Sequence, residues 1–196
     1  MAAYKTRMLD ETTWPAFARL VEANGGIFGG CWCIAFHLDP KGPKGQGKPY
    51  RETKERLVRE GKAQAALVFD GEEALGWCQF GQTAELPNIK NRKNYEAGLG
   101  QVPDWRLPCF FVGKGHRKRG IARLALHAAL DEIARLGGGV VEAYPFDVEA
   151  VPTSSSFLHG GTVRMFLAEG FEQVRRIGKS QWVVSKTILP TRSGSP

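Results

Sequence analysis

Glycines and basic residues lie together between positions 113 and 123, where a short apolar run gives way to an amphipathic one. The segment reads Gly113-Lys-Gly-His-Arg-Lys-Arg-Gly120-Ile-Ala-Arg123. A helix N-terminus offers unpaired backbone N–H groups and a partial positive charge, and glycine lets a backbone approach a ligand closely. A turn of this composition that runs into a helix therefore predicts a site for a phosphate or diphosphate.

Two familiar phosphate loops are excluded by single positions. A dinucleotide-binding fingerprint needs glycine at position 118, where the chain has Lys118. A Walker loop needs Lys-Ser or Lys-Thr after Gly120, where the chain has Ile121 and Ala122. The turn therefore belongs to neither class.

The elements on either side of this turn are a strand and a helix. Leu107 to Val112 is short, aromatic and β-branched, as is typical of a buried strand. From Ile121 the apolar period becomes helical, with one face formed by Ala122, Leu126, Ala129, Ile133 and Leu136. Gly137 to Gly139 ends the helix, and Val140 to Tyr144 resumes the sheet. The order strand, phosphate-binding turn, helix, strand is predicted.

The stretch Arg117-Lys-Arg-Gly120-Ile-Ala122, after a strand that ends at Val112, resembles the acyl-CoA loop of the GCN5-related N-acetyltransferases, whose pattern is Arg/Gln-x-x-Gly-x-Gly/Ala. Thr162-x-x-Met-Phe-x-x-x-Gly-Phe171 is similar to the second motif of that family. The resemblance covers most of the chain and is best from Leu107 to Phe171. It implies an α/β (α+β) fold, a mixed, mostly antiparallel central sheet flanked by helices and splayed where the CoA arm enters.

The same resemblance implies that acetyl-CoA is the co-substrate. The strand would pair with the pantetheine arm through Phe110, Phe111 and Val112. The pyrophosphate would lie against Arg117, Lys118, Arg119, Gly120, Ile121, Ala122 and Arg123. Phe166 is also expected at the cofactor, since it stands where the family usually carries a tyrosine.

Acetyl transfer to an amine needs a neutral nucleophile, a stabilised oxyanion and a thiolate that departs. The resemblance implies direct transfer in a ternary complex, with a strand amide near Val112 serving the carbonyl oxygen. Glu85 is the first candidate for the general base and Asp104 the second. Phe166 cannot donate a proton, so Tyr144 or His159 would replace it as general acid. A CoA thiol, like a cysteine thiol with a pKa of about 8.5, leaves without strong acid help.

Other candidate residues concern the acceptor and the cysteines. Trp32 and Phe36 are predicted to line the acceptor pocket, with core packing as the alternative. Cys109 opens a covalent route, in which its thiol takes the acetyl group before the amine does. Cys31, Cys33 and His37 lack a second pair at zinc-site spacing, so no metal site is predicted. Gly81 to Asp104 is predicted to be a long loop that passes near the active site.

Length and composition indicate one globular domain over positions 1–188 and a C-terminal tail over 189–196. The chain has 196 residues, with 42% hydrophobic and 24% charged. Four scattered cysteines indicate reduced thiols, and Met1 to Asp10 carries charges where a signal peptide is apolar. No apolar run has the length of a membrane span. A cytoplasmic monomer or homodimer is expected.

The predicted function is acetyl transfer to a primary amine of a small molecule, with a protein lysine or N-terminus as the second choice. A sensor that binds acyl-CoA without turnover is the alternative from another class. The net charge of +7 suits a phosphorylated ligand and raises a third class, a nucleic-acid module that uses the loop Lys41 to Arg51. Its basic runs lack interleaved aromatic residues, so no nucleic-acid partner is predicted.

Overall fold

The structure is a computed structural model that describes residues 4–38, 49–152 and 158–191. Within these ranges the chain forms seven strands and five helices. The strands are β1 (Lys5–Met8), β2 (Gln64–Asp70), β3 (Glu73–Gln82), β4 (Trp105–Val112), β5 (Gly139–Ala143), β6 (Glu172–Arg176) and β7 (Trp182–Ile188). The helices are α1 (Trp14–Ala23), α2 (Tyr50–Arg59), α3 (Arg92–Ala97), α4 (Ile121–Arg135) and α5 (Val163–Leu167).

All seven strands form one sheet in the order β1-β2-β3-β4-β5-β7-β6. The β4–β5 pair is parallel, and the other neighbouring pairs are antiparallel. Helix α4 packs on one face, in a core with Leu107, Phe110 and Phe166. Helix α1 packs on the opposite face, in a core with Trp77 and Phe111. This architecture confirms the predicted α/β fold with a mixed, mostly antiparallel sheet.

The parallel ladder between β4 and β5 is short, and prolines account for its end. Its pairs are Trp105 with Val141, Arg106 with Glu142 and Leu107 with Ala143. Pro108 follows at once in β4, and Pro145 stands two residues beyond the end of β5. Proline has no backbone N–H to donate to a ladder, so pairing stops and the strands separate.

A bulge in β4 falls at the same level. Gln79 of β3 pairs with Cys109, whereas Gly81 pairs with Arg106, so three steps along β4 oppose two along β3. Beyond the bulge, Cys109 and Phe111 pack with the α1 core, and Phe110 packs with the α4 core. The bulge therefore determines which side chains of β4, from Cys109 onward, face α1 and which face α4.

The segment predicted as a long loop, Gly81 to Asp104, contains helix α3. This helix is six residues long and buries Tyr95 alone, so its pattern was too short to indicate a helix. Within the predicted tail, 189–196, the Thr191 N–H donates to the Ala134 carbonyl (3.0 Å). Most of the loop Lys41 to Arg51, up to position 48, and residues 192–196 lie outside the described residues. None of the helices in the described ranges has the length and apolar character needed to cross a membrane.

Candidate active site

The predicted phosphate turn links β4 to α4. Lys114–His116 form a single turn of 3-10 helix, and α4 then begins at Ile121. The N–H of Gly113 donates to the Leu75 carbonyl (2.9 Å), which holds the turn against β3. The first amides of α4 have no intrahelical acceptor and point out of the helix beside this turn. The local geometry is that of an anion site.

Two residues of the turn have a left-handed backbone. Gly120 has a φ of +79° and Lys118 a φ of +61°. This conformation costs a non-glycine residue roughly 1–2 kcal/mol, so at Lys118 the turn stores strain of that order. Strained backbone of this kind gathers at ligand-binding sites. Glycine at position 120 avoids a second such cost.

The charge around the turn is positive. Lys118 and Arg119 are exposed, and the Arg117 Nε donates to the Val112 carbonyl (3.4 Å), across the base of the turn. No acidic residue occurs between positions 113 and 123. Ile121 is buried in the core, so at this site it offers its amide rather than its side chain.

Arg123, also predicted at the cofactor, is engaged elsewhere. Its Nε donates to Glu169 Oε1 (2.5 Å), and His127 Nε2 lies 2.5 Å from Glu169 Oε2. Burial alone would raise the pKa of Glu169, but the bonds from His127 and Arg123 outweigh it and lower that pKa. The ion pair joins α4 to the chain just beyond α5, so Arg123 stabilises this contact.

The edge of β4 that faces the splay is occupied by the chain itself. The N–H of Phe110 donates to the His159 carbonyl (2.6 Å), and strand alternation places the Val112 N–H on the same edge. The expectation was a strand amide available to a thioester carbonyl. In this structure the His159 carbonyl accepts from the Phe110 N–H, so a thioester carbonyl would have to displace it at that position.

The segment at His159 fits closely into the splay. A Cβ at Gly160 would lie 2.5 Å from the Tyr144 carbonyl oxygen, so this position requires glycine. The His159 ring contacts three aromatic rings, with centroid distances of 5.4 Å to Phe146, 5.7 Å to Phe28 and 6.2 Å to Phe36. The bonds and rings together hold the splay closed at Phe110.

Two cavities lie along β4 and share Phe28 and His159. The first, of about 560 Å³, is lined by Phe36, Cys109, Cys31 and the segment 88–92, and is called here the acceptor cavity. The second, of about 670 Å³, is lined by Phe111, Lys114 and Arg117. The Phe28–His159 contact therefore separates the phosphate turn from the acceptor cavity.

Of the two aromatic residues predicted at the acceptor, Phe36 lines the cavity and Trp32 does not. The Trp32 ring packs against Trp14 of α1 at 6.1 Å, and the Arg51 guanidinium lies 5.7 Å from its centre. Trp32 thus closes the core beside α1, which is the alternative that its sequence context left open.

Tyr144 is not placed to act as a general acid. It is 2% exposed, and its hydroxyl donates to Glu142 Oε2 (3.2 Å), which also accepts from the Tyr95 hydroxyl (2.7 Å). Burial raises the pKa of Tyr144 well above its ordinary value. A proton held this firmly inside the protein does not reach a leaving thiolate.

Phe166 belongs to the core rather than to a cofactor surface. It is fully buried, between Phe110 at 5.8 Å and Phe171 at 5.0 Å. The family's usual tyrosine position is therefore filled by hydrophobic packing, and the structure corrects the expectation that Phe166 touches the cofactor.

The two candidate bases lie away from the acceptor cavity. Glu85 is not part of its lining; burial raises the pKa of the Glu85 carboxyl, and Oε2 has no hydrogen-bond partner among the described residues. The Asp104 carboxylate accepts the Val140 N–H (2.7 Å) at the start of β5. Asp104 therefore supports the sheet.

Cys109 lines the acceptor cavity, as the covalent route requires, but its thiol is not activated. A hydrogen bond with Cys33 and burial raise the pKa of Cys109 well above its usual range. A nucleophilic cysteine needs its thiolate form near neutral pH. The environment thus disfavours an acetyl-cysteine intermediate.

A buried polar cluster that contacts Cys109 through Cys33 was missed in the sequence. Lys54, Cys33, His37 and Gln79, called here the Lys54 cluster, join α2 to β3. His37 Nδ1 lies 3.0 Å from the Glu85 carbonyl, which only accepts, so Nδ1 carries the proton. His37 Nε2 then accepts from Gln79 Nε2 (2.8 Å) and lies 3.3 Å from Lys54 Nζ.

The charges of this cluster are shifted by burial. Lys54 is 1% exposed, and burial lowers the pKa of its ammonium. Burial and the Lys54 charge lower the pKa of His37 to about 3, so this imidazole is neutral in the folded protein near pH 7. The sequence held a signal, because Lys54 lies four residues before Val58, on the inward face of α2.

Metal ligation has no support in this part of the molecule. Among residues 4–38, 49–152 and 158–191, no three His, Cys, Asp or Glu side chains are placed to hold a metal ion. Cys31 and Cys33 are free thiols.

Comparison with known proteins gives the fold but no close relative. No protein-family model matches the chain, and no curated protein matches it. Among solved structures, one named histone acetyltransferase HPA2 and related acetyltransferase, from Corynebacterium glutamicum, is similar at 13% identity and a TM-score of 0.55 over 98% of this chain and 99% of that one. A structure named as an acetyltransferase of the GNAT family, from Desulfovibrio desulfuricans, is similar at 15% identity and a TM-score of 0.54, over 95% of this chain and 99% of that one. The structure of a ribosomal-protein-S5-alanine acetyltransferase from Vibrio fischeri is similar at 14% identity and a TM-score of 0.51, over 98% of this chain and 96% of that one. The chain therefore has the GNAT acetyltransferase fold, which confirms the resemblance at the level of the fold.

Proposed function

We propose that this protein is an acetyl-CoA-dependent N-acetyltransferase that moves an acetyl group directly to a primary amine of a small molecule. One observation carries the proposal. The splay between β4 and β5 begins after Leu107, and the rest of β4 runs from there to the glycine turn at Arg117–Ala122. Both features lie within a fold that acetyltransferases use. That arrangement gives a thioester arm a strand to pair with and its diphosphate a helix N-terminus.

The residues of the turn fit the diphosphate of acetyl-CoA. The amides at the start of α4 would donate to phosphate oxygens, and Lys114, Arg117 and Lys118 would neutralise the charge. Along the splay, the amides of Phe110 and Val112 would hold the pantetheine arm and the thioester carbonyl. The coenzyme supplies the activated acetyl group and a thiol that departs.

Binding of the coenzyme requires His159 to release Phe110. The pantetheine or thioester carbonyl would then take the place of the His159 carbonyl on the same amide. Exchange of one hydrogen bond for another costs little net free energy, about 1 kcal/mol or less. The segment containing Gly160 and Gly161 is the part of the splay that must move.

Direct transfer suits this acceptor cavity better than a covalent route. The raised pKa of Cys109, which its bond with Cys33 and its burial cause, keeps that thiol protonated. The described lining of the cavity contains no carboxylate, so we assign no general base within it. The amine would react from its neutral fraction, which the neighbouring charges of Lys90 and Arg92 favour.

The test is release of free CoA thiol from acetyl-CoA across a library of small primary amines. We expect acetyl-CoA to raise the melting temperature and at least one amine to accelerate thiol release above hydrolysis. Stabilisation by acetyl-CoA with no thiol release for any amine would instead favour the acyl-CoA sensor, to which the buried Phe166 and the occupied Phe110 amide give support.

A protein amine is the second acceptor class. The Vibrio fischeri structure is named for a ribosomal-protein alanine, so proteins of this fold include one named for a protein acceptor. The acceptor cavity of about 560 Å³ suits a small ligand better than an extended chain. Turnover of N-terminal peptides but not of small amines would reverse this order.

A further inference from the structure

The lining of the acceptor cavity has two chemical halves. Three aromatic rings, Phe28, Phe36 and His159, form one side and contact one another through His159. The segment Asn88 to Arg92 is also part of the lining and brings two cationic side chains. The cavity therefore combines an apolar, aromatic surface with a positively charged rim.

Of the two cations, Lys90 is the more available to a ligand. Arg92 is paired, since its Nε donates to Glu96 Oε1 (2.6 Å) one turn later in α3. Lys90 forms no ion pair within the described ranges, and its Nζ lies 5.5 Å from the centre of the Phe146 ring. The lining that the structure describes includes no aspartate or glutamate to neutralise this charge. Lys90 is thus available to an anion from the ligand.

The segment that carries Lys90 is fixed rather than loose. Asn88 Nδ2 donates to the Ala35 carbonyl (2.8 Å), and Asn91 Nδ2 donates to Gln181 Oε1 (2.8 Å). These two bonds tie the residues on both sides of Ile89 and Lys90 to other parts of the chain. The position of the Lys90 backbone in the cavity wall is therefore set before a ligand arrives.

We infer that the acceptor is an amine with an apolar body that also carries a carboxylate, and that Lys90 selects it by pairing with that carboxylate. The inference rests on the proposed transferase function and adds the substrate class. The apolar body would lie against Phe28 and Phe36, and the amine would face β4 near Cys109 and the Phe110 amide.

The positive rim also assists the chemistry. A nearby positive charge disfavours the ammonium form of an amine, so it lowers the amine pKa and raises the neutral, reactive fraction. A carboxylate of the acceptor would otherwise oppose this effect by stabilising the ammonium. Its pairing with Lys90 removes that opposition, so one residue serves selection and reactivity.

The test compares L-phenylalanine with 2-phenylethylamine, which differ by the carboxylate. Thiol release gives kcat/KM for each, and fluorescence or calorimetric titration of the CoA-saturated protein gives Kd for each. We expect L-phenylalanine to be preferred about tenfold or more in both readouts, as one charge-assisted hydrogen bond provides. Lys90→Gln should reduce this ratio to about one, and Lys90→Glu should reverse it. Lys93→Gln, at an exposed lysine of α3 that lies near Lys90 in sequence but outside the cavity lining, is the matched control and should leave the ratio unchanged.

The two readouts separate this inference from the proposed function. Equal kcat/KM for the two amines, or a ratio that Lys90→Gln leaves unchanged, would overturn the inference while the transferase stands. Carboxylate-dependent binding that requires Lys90, without any thiol release, would support the inference on the ligand and reject the transferase. Absence of both turnover and binding for either amine would overturn both.

Discussion

Gly120 and Gly115 lie in the same turn and differ in one property. Neither would place a Cβ within 4 Å of another atom, so neither is needed for space. Gly120 has a φ of +79°, whereas the φ of Gly115 is outside the left-handed region. Backbone conformation alone therefore distinguishes the two positions.

Replacement of Gly120 by alanine should lower the free energy of unfolding by roughly 1–2 kcal/mol, because alanine is strained at this φ. It should also weaken acetyl-CoA binding, since the amides that follow would shift from the anion. Gly115→Ala is the control, with a stability change within about 0.5 kcal/mol and an unchanged Kd. Thermal denaturation and acetyl-CoA titration of both variants check this. Equal Kd values for Gly120→Ala and the wild type would contradict the assignment of the turn.

His37 makes the folded state sensitive to acid. The pKa of His37 is lowered to about 3 by burial and by the Lys54 charge, whereas an exposed histidine has a pKa of about 6.5. Between these values the unfolded chain binds one more proton than the folded protein. The stability that neutral His37 allows is therefore complete above about pH 6.5 and is lost as the pH falls toward 3.

This histidine should add up to about 1.4 kcal/mol per pH unit to the loss of unfolding free energy over that window. In His37→Asn, whose amide keeps a donor near the Glu85 carbonyl, that part of the slope should disappear although the protein is less stable at pH 7. Urea denaturation at pH 7, 6, 5 and 4 measures it. Parallel pH profiles for the two proteins would show that His37 accepts its proton without cost.

At the scale of elements, α2 docks on the sheet with an ammonium group inside. The helix is charged over most of its length, and its buried residues are Lys54 and Val58. The Lys54 Nζ has the Cys33 carbonyl at 3.4 Å and His37 Nε2 at 3.3 Å, both neutral and both long contacts. A buried cation with partners of this kind is costly. The docking of α2 therefore adds less to the free energy of unfolding than the surface it buries suggests.

Lys54→Met should raise the free energy of unfolding by about 1 kcal/mol at pH 7, because methionine keeps much of the volume without the charge. Lys54→Ala should lower it by about 2 kcal/mol, since a cavity remains. Lys62→Met, at an exposed lysine after the helix, should change it by less than about 0.5 kcal/mol. Chemical denaturation gives the three values. A methionine variant less stable than the wild type would mean that the contacts of the ammonium outweigh its desolvation.

The parts of the fold that depend on local patterns could be predicted from the sequence. The turn and α4 follow from glycine positions and a helical period within 24 residues, and α4 begins at Ile121 as expected. The contact of His159 with Phe110 joins distant segments and has no local signal. The directions of Trp32 and Tyr144 depend on which neighbours their rings meet, which periodicity does not specify. Burial of Lys54 was not predicted, because a charged side chain is usually exposed, although its position lies on the inward face of α2.

At the scale of the whole molecule, the phosphate turn and the acceptor cavity lie along one strand, β4, and are separated by the Phe28–His159 contact. Both sites are rich in positive charge, in a chain whose net charge is +7. A coenzyme at the turn and an acceptor in the cavity would meet at the Phe110 amide. The segment around His159 must therefore yield when the coenzyme binds.

Hydrogen–deuterium exchange of the whole protein with and without acetyl-CoA tests this most directly. We expect slower exchange in peptides that cover 110–113 and 117–123, where the strand and helix amides would hold the coenzyme. Faster exchange is expected over 158–161, because this segment, including the Gly161 N–H that donates to the Leu158 carbonyl (3.0 Å), would move when the His159 carbonyl leaves Phe110. Unchanged exchange in all three regions at saturating acetyl-CoA would contradict the account.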